Sequence, residues 1–330
     1  MTKKTKRRLL VLELLAVLVL AAAIMIVQIQ ARKRDAALID GARRYRPTIT
    51  YQGKEYPLKR HMSTVLLMGT DNFVDDGKRE SWNELHRNRS LSDLLIVLVF
   101  DHAAKTVTPF QICRDTMCYV SRVNTGGKPI DPIFTQITMA YTYGTGKEDS
   151  CRNTRDTVEN LLFGVPLDHY MSFTMDTVPL VNDLVGGVRV TLAHDIPALG
   201  KEYVKGAEIL LKGQAALRFV RYRDSTIMDS NMERMVNHRL YMDGFTTAAR
   251  AAATKDPDLA VRIFKVADPF LCTDLSVDNV QTIVDNLVSY DILPVVYFNG
   301  TYEFREGELF PGYYVDEASL WSCVKSTFCA

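Results

Sequence analysis

The sequence predicts an α/β domain in which helices cover both faces of a mixed sheet. Apolar runs of strand length alternate with segments of helical spacing from residue 63 to the carboxyl terminus. No internal repeat and no Pro/Gly/Ser-rich linker interrupts that alternation. The chain has 330 residues, 47% of them hydrophobic and 24% charged, which is enough to bury a sizeable core. A formal net charge of +1 gives no global attraction for nucleic acid, so any anion site must come from local clustering of the 40 Lys+Arg residues.

The elements follow in chain order. Lys3, Lys4, Lys6, Arg7 and Arg8 precede an apolar run from Leu9 to Val27 that only Glu13 interrupts. Roughly 20 such residues cross a bilayer as one helix. A cleaved signal peptide shares the basic start, but its apolar centre is shorter, and here apolar residues continue past Ala21-Ala22-Ala23. Residues 1–8 therefore read as a cytoplasmic basic tail and residues 9–29 as an uncleaved transmembrane anchor. Arg32, Lys33 and Arg34 flank the far side, but the denser cluster lies before the span, which keeps the amino terminus inside the cell membrane. Residues 30–60 are polar and basic and read as a juxtamembrane stalk. Residues 61–330 form the extracytoplasmic domain.

Within that domain, Ser63–Gly69 is a strand that feeds the polar turn Gly69-Thr70-Asp71. Residues 75–90 are charged and aperiodic and read as a loop. Asp93–Phe100 is continuously apolar, the pattern of a strand buried on both faces, and Thr106–Ile112 is its hairpin partner. Asp131-Pro132 suits the start of a helix reaching Tyr143-Gly144. A helix from Ser150 to Phe163 stops at Gly164. His169–Met175 is a strand, Asp176–Leu184 a helix ended by Gly186-Gly187, and Val188–Leu192 a strand. Lys212–Val220, Asp229–Ala253 and Ser276–Tyr290 are helices, Ile292–Phe298 a strand, and Val315–Phe328 the closing helix.

Several chemistries are excluded. The chain has no G-x-x-x-x-G-K-[ST] loop, no G-x-G-x-x-G after a strand, no G-x-S-x-G and no H-E-x-x-H. Gly144-Thr145-Gly146-Lys147 lacks phosphate-loop spacing and reads as a turn. Neither a nucleotide nor a nucleic acid is an expected partner. Cys113, Cys118, Cys151, Cys272, Cys323 and Cys329 include no C-x-x-C pair, so a zinc site is not expected. Outside the membrane they could pair as disulfides or remain buried thiols.

Charge does gather where buried elements meet loops. Asp71 follows one strand, Asp93 opens the most apolar strand, and Arg114-Asp115 ends its neighbour. If those strands are adjacent, two carboxylates and an arginine converge at one sheet edge, the usual place for sites in α/β folds. Two carboxylates with open positions suit Mg²⁺ or Mn²⁺, which complete their shells with water and phosphate oxygens. Each Asp also has a plainer role open to it, as a turn former or helix cap. Arg221 and Arg223 share a face only where the chain is extended, and there two guanidinium forks could grip one polyphosphate. The alternative is a solvated basic helix end.

Taken in order, these blocks resemble the LytR–CpsA–Psr family. The resemblance rests on Gly69-Thr70-Asp71, Ser92-Asp93, Arg114-Asp115-Thr116 and Ala140-Tyr141-Thr142-Tyr143-Gly144. It continues through Thr157-Val158-Glu159-Asn160-Leu161, Gly164-Val165-Pro166-Leu167-Asp168-His169-Tyr170 and Leu184-Val185-Gly186-Gly187-Val188. Leu211–Leu217 and Val220-Arg221-Tyr222-Arg223 complete it. The resemblance implies a three-layer α/β/α sandwich with a central mixed sheet, preceded by the anchor helix. It also implies a metal-dependent phosphotransferase that moves a phosphoglycan, such as teichoic acid or capsule, from a polyprenyl-pyrophosphate carrier to a peptidoglycan hydroxyl. Carried over by position, Asp71 and Asp93 bind Mg²⁺ (or Mn²⁺), and Arg114, Arg221, Arg223 and Arg234 hold the pyrophosphate. Arg114 and Asp71 are the catalytic candidates, with Asp229 an alternative base.

The sequence also departs from the family pattern. Leu91 stands where an arginine is usual before Ser92-Asp93, leaving Arg89 as an accessory candidate. Cys113 replaces a proline, Gln136-Ile137-Thr138 replaces Lys-Ile-Asn, and Asp229-Ser230-Asn231 is all that represents a Gly-Asp-Phe-Gly-Arg segment. Met235 stands beside Arg234 in place of a glutamine. The missing arginines leave open a non-catalytic polyprenyl-phosphate-binding or regulatory protein, and the same constellation with water as acceptor would make a lipid pyrophosphate hydrolase.

Overall fold

A short hairpin opens the globular part of the chain, with β1 (Thr48–Tyr51) paired to β2 (Lys54–Pro57) across the left-handed Gln52 and Gly53. Ile49 from this hairpin is buried in the core and Tyr51 stacks on Trp321 at 4.2 Å. The folded unit therefore begins ahead of residue 61, where the sequence expects the stalk to end. The computed structural model describes residues 47–71 and 90–330 except 125, 225, 257 and 309. The expected tail, anchor, first part of the stalk, most of the charged loop and Arg89 lie outside the described residues. Among the described residues, no helix is long and apolar enough to cross a membrane.

The long apolar runs become the middle of a mixed sheet. β3 (Met62–Thr70), β4 (Ser92–Asp101) and β5 (Thr106–Ile112) form an antiparallel meander, as the pattern predicts. Their burial on both faces explains the lack of polar alternation. Gly69 sits at the irregularity of the β3–β4 pair, where a Cβ would lie 2.9 Å from Leu94 Cβ, so only glycine lets the strands approach there.

The next segment overturns an expectation. β6 (Met117–Val123) and β7 (Pro129–Gln136) form a hairpin, where Asp131-Pro132 predicts a helix start. β7 is mostly exposed and is paired on one side only, and an edge strand tolerates proline because its missing N–H is not needed for pairing. The helical signal shrinks to α1 (Met139–Thr142), and Gly144–Gly146 is a turn before α2 (Lys147–Leu161).

From there β8 (His169–Thr174) joins β3 in parallel, followed by α3 (Thr177–Leu184) and the pair β9 (Val188–Thr191) and β10 (Glu208–Leu211). α4 (Gln214–Arg221), the 24-residue α5 (Ser230–Ala253) and α6 (Leu259–Ala267) follow. β11 (Leu271–Thr273) borders β8, α7 (Val277–Ser289) follows it, and β12 (Asp291–Ile292) lies parallel to β5. The strand expected over Ile292–Phe298 is thus reduced to its first residue and an isolated bridge at Val296. A last hairpin, β13 (Gly300–Glu303) with β14 (Gly312–Val315), leads into α8 (Glu317–Phe328). The central sheet has the order β11-β8-β3-β4-β5-β12. Two apolar clusters hold the fold. One joins the sheet to α1, α2 and α8; the other joins α3, β9, β10 and α4 to α5 and α6.

Gly244 lies inside α5 where the helix crosses β9. A Cβ there would strike the Arg189 carbonyl and lie 2.8 Å from Val188 Cγ1. Helix propensity alone favours alanine by about 1 kcal/mol, whereas overpacking against backbone costs about 1–3 kcal/mol. Gly244→Ala is therefore expected to lower the urea midpoint of unfolding. A variant as stable as the parent would show that α5 can slide off β9.

Candidate functional site

Antiparallel pairing decides where the charged residues meet. β3 and β5 end at the edge where β4 begins, with Thr70 opposite Ser92 and Ile112 opposite Leu95. Asp71, Asp93 and Arg114 consequently emerge at one edge of the sheet. The segment after β7 braces them. Thr138 N donates to Arg114 O at 3.0 Å, and Thr138 Oγ1 donates to Ser92 O at 3.0 Å.

Arg114 is ion-paired to Asp93 through Nη1, and Arg234 Nη2 reaches the same Asp93 Oδ1 at 3.5 Å. Arg234 comes from the second turn of α5, and Asn231, one turn earlier, donates its amide to Asp115 Oδ2. Tyr302 on β13 donates to that carboxylate at 3.0 Å. Arg114 Nε lies 3.4 Å from Asp115 Oδ1 without making a hydrogen bond. The side chains of Asp93, Arg114, Asp115 and Arg234 are 7–13% exposed, so the array is nearly dry.

Burial pulls the Arg114 guanidinium down to about 10, helped by the charges of Arg234 and Arg223 and opposed by Asp115 and Asp71. Burial and Arg223 lower Arg234 as well. Arg223 and Asp71 thus lie within electrostatic reach of both buried arginines. Cys113 is pushed up to about 12 by burial and by Asp115, so its thiol stays protonated and is no nucleophile here.

The candidate residues divide clearly. The fold brings Asp71, Asp93, Arg114, Arg223 and Arg234 together. Arg221 is exposed in the last turn of α4, and the chain becomes extended only at Tyr222, so Arg221 and Arg223 do not leave a single extended run. Asp229 is exposed and precedes α5. Sequence reasoning missed Asn231 and Tyr302 as site residues, and left Asp115 without a role. Tyr302 lies 187 positions from Asp115, a separation no motif spans.

Three arginines (Arg114, Arg223, Arg234) face three aspartates (Asp71, Asp93, Asp115), so the array by itself is close to neutral. A divalent cation on the carboxylates would restore a positive site for a diphosphate. The donor set fits such an ion. Asp71 and Asp93 offer hard oxygens, and Asn231 Oδ1 is a buried acceptor with no hydrogen-bond partner. Among the described residues no three His, Cys, Asp or Glu side chains form a metal cage, so the remaining ligands would be water and phosphate oxygens.

Comparison with known proteins gives a concordant result. The profile of the LytR_cpsA_psr family matches residues 24–314. The polyisoprenyl-teichoic acid–peptidoglycan teichoic acid transferase TagV of Bacillus subtilis is 30% identical over 172 residues, half of this chain and 38% of that protein. The TagU transferase of Halalkalibacterium halodurans is 33% identical over 160 residues, 48% of this chain and 44% of that protein. The chain thus spans less than half the length of these two relatives. Among solved structures, B. subtilis TagV matches with a TM-score of 0.59 at 22% identity, over 81% of this chain and 95% of that one. TagT bound to LIIa-WTA matches with a TM-score of 0.58 at 20% identity, over 81% and 89%. These similarities show a shared mixed α/β fold.

The array also has an acid-labile support. His238, one turn beyond Arg234, is fully enclosed, and its Nε2 donates to the Val220 carbonyl at 2.9 Å. Burial and then the Arg234 charge hold it down to about 3, against 6.5 for an ordinary histidine. Unfolded chain takes up this proton near pH 6.5 and folded chain does not, so the stability from this group is full above 6.5 and lost as pH falls toward 3. The urea midpoint of the parent is expected to fall from pH 6.5 to 4, and His238→Gln to flatten that slope. Equal slopes would show that His238 is not the group responsible.

Proposed function

The chain belongs to the LytR–CpsA–Psr family, and from that premise we propose that it transfers an anionic glycopolymer from a polyprenyl-pyrophosphate carrier to a peptidoglycan hydroxyl. The observation that supports this reading is the buried Arg114–Asp93–Arg234 array at the sheet edge, with Arg223 at hand and Arg114 Nε and Asn231 Oδ1 making no hydrogen bond. The three-layer arrangement, membrane attachment through residues 9–29 and an extracytoplasmic domain belong to the same proposal.

In this reading Arg114, Arg223 and Arg234 hold the diphosphate oxygens, with Arg221 approaching from the solvent side. Guanidinium forks fixed in a dry site stabilise charge on equatorial phosphate oxygens with little reorganisation. The acceptor hydroxyl oxygen attacks the glycan-proximal phosphorus, and a new P–O bond forms. The bond to the polyprenyl phosphate breaks, and the leaving oxygen takes its electron pair. Asp71, partly exposed at the same edge, accepts the hydroxyl proton and passes it to solvent. Mg²⁺ (or Mn²⁺) held by Asp71 and Asp93 would neutralise phosphate charge. The carrier's diphosphate supplies the driving force, so the reaction needs no nucleotide.

The test uses the full chain in detergent, a polyprenyl-pyrophosphate glycan, Mg²⁺ and peptidoglycan fragments. Release of the lipid phosphate and mass gain on the acceptor are followed together. Arg114→Ala and Asp93→Ala are each expected to reduce transfer by on the order of 10²–10³-fold, and chelation of divalent ions to abolish it. Tight lipid binding without turnover across several glycans and metals would contradict the transferase reading. Release of free phosphoglycan without an acceptor would replace it with hydrolysis.

A further inference from the structure

A second polar site lies at the far end of β6, away from the arginine array. A cavity of about 390 Å³ opens between the β6–β7 hairpin and α2, a size within the range of small-ligand sites. Three arginines line it, Arg122, Arg152 and Arg155, together with the carboxylates of Asp149 and Asp156. Arg155 is only 6% exposed, yet its Nε makes no hydrogen bond. Its carboxylate contacts are long, 3.8 Å from Nε to Glu159 and 3.5 Å from Nη2 to Asp156. Arg152 stands at the exposed rim, 3.7 Å from Asp149 and 3.8 Å from Glu148. A buried guanidinium in slack pairs, as Arg155 is, gains from a carboxylate that can accept two bonds at once.

The lining decides the class of ligand. A polyprenyl tail would desolvate the guanidinium and carboxylate groups without pairing them. A polyphosphate would face repulsion from Asp149 and Asp156. A ligand carrying a carboxylate and an ammonium a few bonds apart satisfies both signs. Ile130 and Pro132 on β7 add a small apolar roof. The floor is fixed beforehand, because Asn153 Nδ2 donates to Ser121 O at 2.7 Å and Ser121 N donates to Thr157 Oγ1 at 3.0 Å.

We propose that this cavity binds the short zwitterionic peptide branch of the peptidoglycan acceptor, and so positions its glycan at the arginine array. The proposal rests on the transferase reading for the identity of the acceptor. β6 starts beside Asp115 and carries Ser121 about 13 Å further along, so the two sites occupy opposite ends of one strand. A glycan with a peptide branch can reach both, with its hydroxyl at one end and its peptide at the other.

Titration calorimetry on the full chain in detergent tests this with two probes, a disaccharide-peptide with free amine and carboxylate and the same disaccharide without peptide. Inorganic pyrophosphate reports separately on the arginine array. The peptide-bearing probe is expected to bind at least tenfold more tightly than the bare disaccharide. Ile130→Trp, which fills the roof without touching a charge, and Arg155→Lys should each weaken it at least tenfold and leave pyrophosphate binding unchanged. Equal affinity for both probes, or full affinity in Ile130→Trp, would overturn the proposal. Peptide-dependent binding in a protein that transfers nothing from any donor would uphold the cavity assignment and sink the transferase reading alone.

Discussion

Asp93 is the residue on which the described site turns, because one nearly dry carboxylate is shared by two arginines from different parts of the chain. Arg114 reaches it from the end of β5 and Arg234 from the second turn of α5. Removing one partner from such an array costs about 3–5 kcal/mol, since it strands an uncompensated buried charge. That penalty fixes α5 against the sheet edge. It also keeps the guanidinium groups where a phosphate can meet them without further ordering. The balance of three arginines and three aspartates leaves the array close to neutral, which limits the cost of burying it.

A second carboxylate extends the same constraint to the end of the chain. Asp115 accepts from Asn231 on α5 and from Tyr302 on β13, and its carbonyl accepts from Tyr313 N at 2.8 Å. The β13–β14 hairpin thereby becomes a wall of the site rather than a peripheral addition. Cys113 lies behind it against Tyr302 Oη at 3.2 Å, a position a protonated thiol fills as a small apolar group.

Much of the fold was legible because burial leaves a strong signature. β3, β4 and β5 are continuous apolar runs, Gly164 and Gly186-Gly187 mark real stops with positive φ, and the long helix over 229–253 has nearly its expected bounds. The β6–β7 hairpin was not legible, because Asp131-Pro132 satisfies the local rule for a helix start while cross-strand pairing with Met117–Val123 prevails. Of the site, Asp71, Asp93 and Arg114 follow from strand ends that sequence can locate. Arg234 emerged only from family resemblance, and Tyr302 had no signal at all, since its partner is set by tertiary packing. The same limit applies to Arg155, whose helical spacing reads as an ordinary basic residue until the cavity beside it is seen.

The most direct measurement is the calorimetric affinity of the full chain for inorganic pyrophosphate, with and without Mg²⁺, in the parent and in Arg234→Gln. A near-neutral array that needs a cation to hold a diphosphate should bind only when Mg²⁺ is present, and at least tenfold more weakly without the Arg234 guanidinium. Binding that ignores both Mg²⁺ and Arg234, or no binding under any condition, would contradict the assignment of the buried arginine array as the diphosphate site.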